Sequence, residues 1–498
     1  MATGGRWHLD HAEASETRPG GGSMITSSLT ASLTIQERHL NRLKEFLIHQ
    51  DGVERAAYIL CGESSSSLDP WTGHPHRKFF SYDILPVPED EVLSSSDQHI
   101  TWKTDSFVRT LKRAQEQGLT VALMHSHTGG FAEFSDQDDA NEPDLVELAQ
   151  HRNGENTSLL SLILTSDEKL VGRLWINQQQ WIPLRLISVV GESIRLHYPG
   201  RGQGQSSPIL QRQALAFGRV LEQDLAMLRV GIVGCGGTGS ATAMLLPKMG
   251  FRRTALFDKD IVEESNLNRL HGATQADVDA KRPKVEVIAR SLTELGLGMQ
   301  VKTYQSWIGD PEYRDALKAC DIIFGCTDDH AGRLLLNRYA YYYVTPVFDM
   351  GLAIEVSPSE PPEIKAMDGR VTVLAPGHTC LLCRGVISPA IARDEALKRN
   401  NPAEYERRKA EAYVLGEGNP SPAVVLFTTD VAIMAIEELV HRLQGFRGEN
   451  SAVAQRVRKF HLMEDRRQGA NPDPYCPVCG SVEYWGKGDV DPFLNLVG

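Results

Sequence analysis

The sequence predicts an α/β chain of two domains, an α+β domain followed by a doubly wound, mostly parallel sheet. Three observations carry that prediction. One is a strand–glycine loop–helix–strand–acid unit within 228–260. Another is a His-Ser-His run closing an apolar strand at His127. The third is a pair of well-separated Cys-x-x-Cys motifs in the last quarter of the chain.

Composition narrows the class. A chain of 498 residues suggests about three domains, a count that large α/β domains reduce. A hydrophobic content of 41% with 23% charged residues suits a soluble globular chain with ample core. The formal charge of −12, without a long basic run, argues against non-specific nucleic-acid binding. No apolar stretch is long enough to span a membrane, and the N-terminus lacks a signal-peptide core. The paired cysteines point to metal and to a reducing, cytoplasmic compartment.

Residues 1–34, rich in Gly, Ser, Thr and Ala, read as a disordered tail. An amphipathic helix at 35–49 opens a first domain, 35–197. Strands follow at 56–61, 79–87, 120–124, 159–165, 169–176 and 181–190, with a helix at 107–117. Residues 198–210, with their YPGRGQGQSS run, have linker composition. The second domain, 211–485, begins with a helix at 211–227 and finishes its core with an apolar helix at 422–443. Residues 486–498 read as a C-terminal tail.

In the first domain, His125 and His127 stand at i and i+2 as the chain leaves the strand 120–124, so both lie on one side and reach one ion. A carboxylate from the following turn makes a third ligand; Asp136, Asp138 and Asp139 are available by composition. Three protein ligands leave zinc an open position for water, the catalytic arrangement. The full run, H-x-H, seven residues, S-x-x-D, resembles the JAB/MPN metalloproteases (the JAMM signature), which cleave ubiquitin-like proteins from their conjugates. The resemblance selects Asp138 as the ligand. It implies Glu54, ahead of the strand AAYILCG, as general base, with Glu63 as the weaker alternative, and Ser135 as a stabiliser of the oxyanion. Gly129 and Gly130 depart from the Pro common after the second His.

In the second domain, Gly234, Gly236, Gly237 and Gly239 link an apolar strand to a helix, and Asp258 ends the next strand. Glycines let a backbone approach phosphate, the helix N-terminus favours anions, and the acid bonds ribose hydroxyls. A dehydrogenase needs little more, but SNLNR (265–269), RPKV (282–285) and CTDD (326–329) follow. Two cations, an amide and an acidic pair beside one nucleotide suit chemistry at phosphorus. The series resembles the ThiF/MoeB/HesA adenylyltransferases, a family with a Rossmann-like fold shared with ubiquitin-activating enzymes, over about residues 211–480. The resemblance implies ATP and Mg²⁺, with Asn266, Arg269 and Lys284 on the phosphates and Asp328 on the metal. Asp260 would assist and Asp329 be a neighbour. Arg212 would be supplied across a homodimer. Cys380, Cys383, Cys476 and Cys479 make a four-thiolate, structural zinc clasp. The remaining Cys61, Cys235, Cys320 and Cys326 read as core or loop residues, so adenylation without a stable thioester is expected.

Together these expectations describe a bifunctional enzyme similar to those of bacterial ubiquitin-like pathways, including conjugation systems in antiphage defence operons. It would trim or deconjugate a ubiquitin-like protein and adenylate its C-terminal glycine for transfer to a conjugating enzyme or a sulfur donor. Two alternatives stand beside it. One is a sulfur-carrier activator in biosynthesis with a maturation protease. The other is a non-catalytic scaffold that binds a ubiquitin-like partner.

Overall fold

The computed structural model describes residues 23–24, 29–203, 205–410, 422–491 and 493–496. In the first domain, period-two patterning sorts side chains to two faces of a nine-stranded sheet. Along Ala56–Ser66, Ala57, Ile59 and Cys61 join one apolar cluster, with helix Glu37–Leu47 against it. Ala56, Tyr58 and Leu60 join the other, covered by helices Asp105–Gln117 and Asp136–Asn153. The sheet closes on itself, because strand Gln180–Val190 pairs with Leu170–Asn177 on one side and Thr30–Gln36 on the other. The strand Thr120–His127 lies between Ala56–Ser66 and Leu159–Thr165. The His-Ser-His run therefore belongs to a central strand and does not follow it.

The second domain is built on an eight-stranded sheet. Its order runs Gln300–Tyr304, Arg253–Phe257, Arg229–Val233, Ile322–Gly325, Val347–Val356, with these strands parallel. Ile364–Leu374, Gln455–Lys459 and Glu464–Gln468 then extend it antiparallel. The sequence order reverses between Arg229–Val233 and Ile322–Gly325, which opens a crevice at their carboxyl ends. Helices Gly237–Met249, Lys284–Glu294 and Val425–Gln444 cover one face, and His330–Tyr342 the other. No helix among the described residues is long and apolar enough to cross a membrane.

The boundaries need correction at both ends. The tail expected at 1–34 is contradicted from Thr30 onward. Residues 1–22 and 25–28 lie outside the described residues, but Thr30–Gln36 is an internal strand with Ala31, Leu33 and Ile35 fully buried. Its small polar residues masked the alternation. Ser32 bonds His76 at 2.9 Å and Thr34 bonds Ser188 at 3.0 Å, so the polar positions are satisfied inside the fold. The first helix accordingly starts at Glu37.

The tail expected at 486–498 is contradicted as well. Gly486 and Gly488 donate to the carbonyls of Tyr341 and Tyr342, and Asp489 N–H donates to Glu63 O at 2.7 Å. The Asp489 carboxylate accepts bonds from Ser65 N–H, Lys318 and Tyr343, joining the two domains. Gly488 takes φ 58°, and a Cβ there would meet Glu63 O at 2.5 Å, so this close approach requires glycine. Phe493 is fully buried against Tyr342 and Tyr343. Within the expected linker, Tyr198 and Arg201 are anchored on Asp224. Helix Gln211–Met227 breaks its α geometry at Gly218, φ 77°. Phe493→Ala is expected to cost about 3 kcal/mol through the cavity it leaves, measured by urea unfolding of the full chain.

Candidate functional site

The first constellation lies where the central strand meets a helix N-terminus. His125 Nε2 and His127 Nε2 stand 3.0 Å apart. Asp138 Oδ1 is 3.3 Å from the first and Asp138 Oδ2 is 3.7 Å from the second. The helix Asp136–Asn153 sets the carboxylate through a capping box: Asp138 N–H donates to Ser135 Oγ, while Asp138 Oδ2 accepts Ser135 N–H at 2.7 Å. His127 Nδ1 donates to Phe131 O at 2.9 Å, which leaves Nε2 as the nitrogen facing the cluster. Burial opposes ionisation of Asp138, but bonds from His125, His127 and Ser135 outweigh it and hold the carboxyl well below its usual range.

Glu54 is buried and lines the same cavity of about 50 Å³ with His99, Ile100 and Trp102. Burial raises its carboxyl above the ordinary glutamate range, and the two histidines oppose that rise. Its backbone is gripped on both sides by the turn of the hairpin Val92–Ser95/Ile100–Trp102. Glu54 N–H donates to Ser96 O at 2.8 Å and Ser95 Oγ donates to Glu54 O at 2.5 Å.

The structure separates the alternatives left open by sequence. Glu63 pairs with Arg77 at 2.7 Å and lines a different cavity. Asp139 pairs with Arg173, and Asp136 is exposed. Ser135 engages its hydroxyl with Asp138 Oδ2 at 2.7 Å.

The donor set fits a metal on its own chemistry. The three ligand atoms, two imidazole nitrogens and a carboxylate oxygen, lie within 4.8 Å of one another. The four Sγ atoms of Cys380, Cys383, Cys476 and Cys479 meet the same limit, with contacts of 3.6 Å between the two pairs. Segments far apart in the chain thus meet at one point.

The second constellation lies at the crevice. Gly234 takes φ 90°, and a Cβ there would meet the Cys326 backbone at 2.7 Å. A Cβ on Gly239 would meet Gly234 O at 1.9 Å, so the loop can pack on the neighbouring strand end only with glycine. Asp258 Oδ2 accepts Cys235 N–H at 2.5 Å and Oδ1 accepts Asp260 N–H at 2.8 Å, which fixes the acid against the loop. Lys284 Nζ lies 2.9 Å from Asp260. Burial works to lower the Lys284 ammonium, but Asp258, Asp260 and Asp328 together raise it. Lys284 thus stays charged between the strand ends.

Asp328 is exposed, whereas Asp329 caps helix His330–Tyr342 through Gly332 N–H. Asn266 is turned inward, its Oδ1 accepting Glu263 N–H at 3.2 Å, and Arg269 bonds Ser265 O and Asn268. Arg212 is exposed on the first turns of helix Gln211–Met227. Sequence reading missed Glu395, whose carboxylate accepts the N–H groups of His330 and Ala331. No local motif marks it, because it arrives from helix Pro389–Asn400. Burial raises the thiols of Cys61, Cys235, Cys320 and Cys326, which disfavours each as a nucleophile.

The ThiF family model matches residues 210–479. The chain belongs to the ThiF family. A second model, prokaryotic homologs of the JAB domain, matches residues 36–179, so this ThiF-family chain carries a JAB-type domain ahead of its adenylation-type domain. Among curated proteins it is 33% identical over 126 residues to the sulfur carrier protein ThiS adenylyltransferase of Escherichia coli, covering 25% of this chain and 49% of that protein. It is 30% identical over 184 residues to ubiquitin-like modifier-activating enzyme 5 of Drosophila persimilis, covering 34% of this chain and 44% of that protein. The chain thus spans about half the length of these relatives. A crystal structure of E. coli MccB with AMPCPP and MccA superposes with a TM-score of 0.42 at 19% identity, over 57% of this chain and 78% of that one. Elemental analysis of this ThiF-family protein is expected to give two zinc ions per chain, one for each ligand cluster, and a single ion after His125→Ala.

Proposed function

We propose that the protein is a bifunctional enzyme of a bacterial ubiquitin-like pathway, with its ThiF domain activating the C-terminal glycine of a ubiquitin-like protein. The substrate carboxylate attacks the α-phosphorus of ATP. An acyl-phosphate bond forms, the bond to the bridging oxygen breaks, and pyrophosphate leaves. The observation that carries this reading is Lys284, held charged among Asp258, Asp260 and Asp328 at the carboxyl ends of the strands. Lys284 and Arg269 neutralise charge that develops on the phosphates, and Asn266 orients them. Asp328 would hold Mg²⁺, which neutralises phosphate charge when bound, and Asp258 binds ribose. Gly234, Gly236, Gly237 and Gly239 let the backbone approach the phosphates. Arg212 acts across a homodimer, and the acyl group passes to an external thiol.

The JAB domain trims or deconjugates the same partner. His125, His127 and Asp138 would hold Zn²⁺, which supplies a Lewis acid and an acidified water when bound. Glu54, its affinity for protons raised by burial, accepts the proton of the attacking water and delivers it to the leaving amine. Ser135 serves the oxyanion only after its hydroxyl turns from Asp138. Cys380, Cys383, Cys476 and Cys479 would hold a structural Zn²⁺ in the reducing cytoplasm.

The similarity to an adenylyltransferase named for a sulfur carrier supports a second reading, in which the acyl group is passed to a sulfur donor. Glu54→Gln is expected to lower cleavage of a ubiquitin-like precursor about a hundredfold or more and leave ATP–pyrophosphate exchange unchanged. Asp328→Ala is expected to do the converse, lowering exchange about a hundredfold or more. Parallel loss of both activities in either variant would contradict two separate sites.

A further inference from the structure

Helix Asp136–Asn153 carries the carboxylate of the His-His-Asp cluster near its start, whereas its apolar contacts, Leu145, Val146, Leu148 and Ala149, lie in its second half. Its buried residues are Glu142, Val146 and Ala149, and the first of these is a carboxylic acid. Its first turns are instead held by one cation. Arg173, on strand Leu170–Asn177, is 2% exposed, and Glu142 is 3% exposed. Arg173 Nε donates to Glu142 Oε2 at 2.8 Å and Nη1 donates to Asp139 Oδ1 at 2.5 Å. Trp175 Nε1 donates to the same Glu142 oxygen at 2.6 Å, and Ser161 donates to Oε1.

Aromatic rings fix the guanidinium itself. Phe134, the residue before the helix cap, stacks on it at 3.8 Å, and Trp175 and Trp181 lie at 4.9 and 5.4 Å. Asp139 and Glu142 are three positions apart and so share one helix face. A planar fork bridging them sets both the rotation and the height of the first turns, as a single ammonium cannot. Asp138, between Ser135 and Asp139, is thereby turned toward His125 and His127. The same fork occupies Asp139, the carboxylate next in sequence to Asp138, and so keeps it from the cluster.

We propose that Arg173 is the positioning residue of the JAB metal centre, setting the Asp138 carboxylate through Asp139 and Glu142. This rests on the reading of His125, His127 and Asp138 as metal ligands. Arg173 touches none of the ligand atoms and is not catalytic. Its effect is on the affinity and symmetry of the bound metal.

The test uses the full chain loaded with zinc or cobalt. Arg173→Lys keeps the charge and loses the fork. It is expected to weaken zinc at the histidine site about tenfold to a hundredfold by chelator competition. The d–d bands of cobalt at that site should shift, while the thiolate charge-transfer bands of the four-cysteine site stay unchanged. Val146→Ala opens a cavity in the same helix without touching the fork. It is expected to lower the unfolding midpoint and leave zinc affinity as it was. Equal zinc affinity in Arg173→Lys and the parent chain, or equal weakening in both variants, would overturn the proposal. A parent chain that binds metal only at the cysteines would overturn the ligand reading instead.

Discussion

The arrangement of both domains depends on a buried, charge-compensated seam at the amino ends of the two central strands of the second sheet. Arg229 opens Arg229–Val233, and Asp321 immediately precedes Ile322–Gly325. Asp321 N–H donates to Arg229 O at 2.8 Å, and Arg229 N–H donates to the Asp321 carboxylate at 3.1 Å. The first domain supplies the countercharges. Asp69, fully buried, pairs with Arg229, Arg185 pairs with Asp321 at 3.0 Å, and Lys78 donates to Cys320 O at 2.9 Å. Burial pulls Lys78 down to about 8 and Arg229 to about 10. Such a seam contributes little net stability, but losing one partner strands a charge, at a cost of about 3–5 kcal/mol. It therefore specifies how the domains sit. The JAB domain seals the amino ends of these strands and leaves their carboxyl ends free at the crevice.

The two sites use burial in opposite ways. At Glu54 it raises a carboxyl toward the neutral form, which suits the proton transfer proposed for it. At Lys284 three carboxylates outweigh it and keep the ammonium charged, which suits the phosphate contact proposed for it. The cysteines outside the four-cysteine cluster follow a third course: burial raises their thiols, and at Cys320 it outweighs the opposing pull of Lys78 and Arg229. That agrees with an acyl group leaving on an external thiol.

Much of the site was legible because its chemistry sits in local runs. His125, His127 and Asp138 are close in sequence, and a strand followed by a capped helix folds them together without long-range information. The glycine loop and Asp258 are likewise one supersecondary unit. What sequence concealed depends on distant pairing. Thr30–Gln36 looked like a polar tail because Ser32 and Thr34 find their partners, His76 and Ser188, far along the chain. The segment around Asp489 looked like a terminus because its partners, Glu63, Ser65, Lys318 and Tyr343, come from both domains. Arg173 carries no motif, since its meaning comes from a helix that precedes it in the chain and strands beside it in space.

In the function proposed here, one chain prepares and activates the same partner. The most direct measurement is ATP–pyrophosphate exchange by the purified, zinc-loaded protein with a ubiquitin-like protein encoded beside its gene, supplied as the extended precursor or as the glycine-ended form. Exchange is expected at once with the glycine-ended form, and with the precursor only after a lag in which its tail is removed. Absence of exchange with the glycine-ended form, under conditions where ATP and zinc are bound, would contradict it.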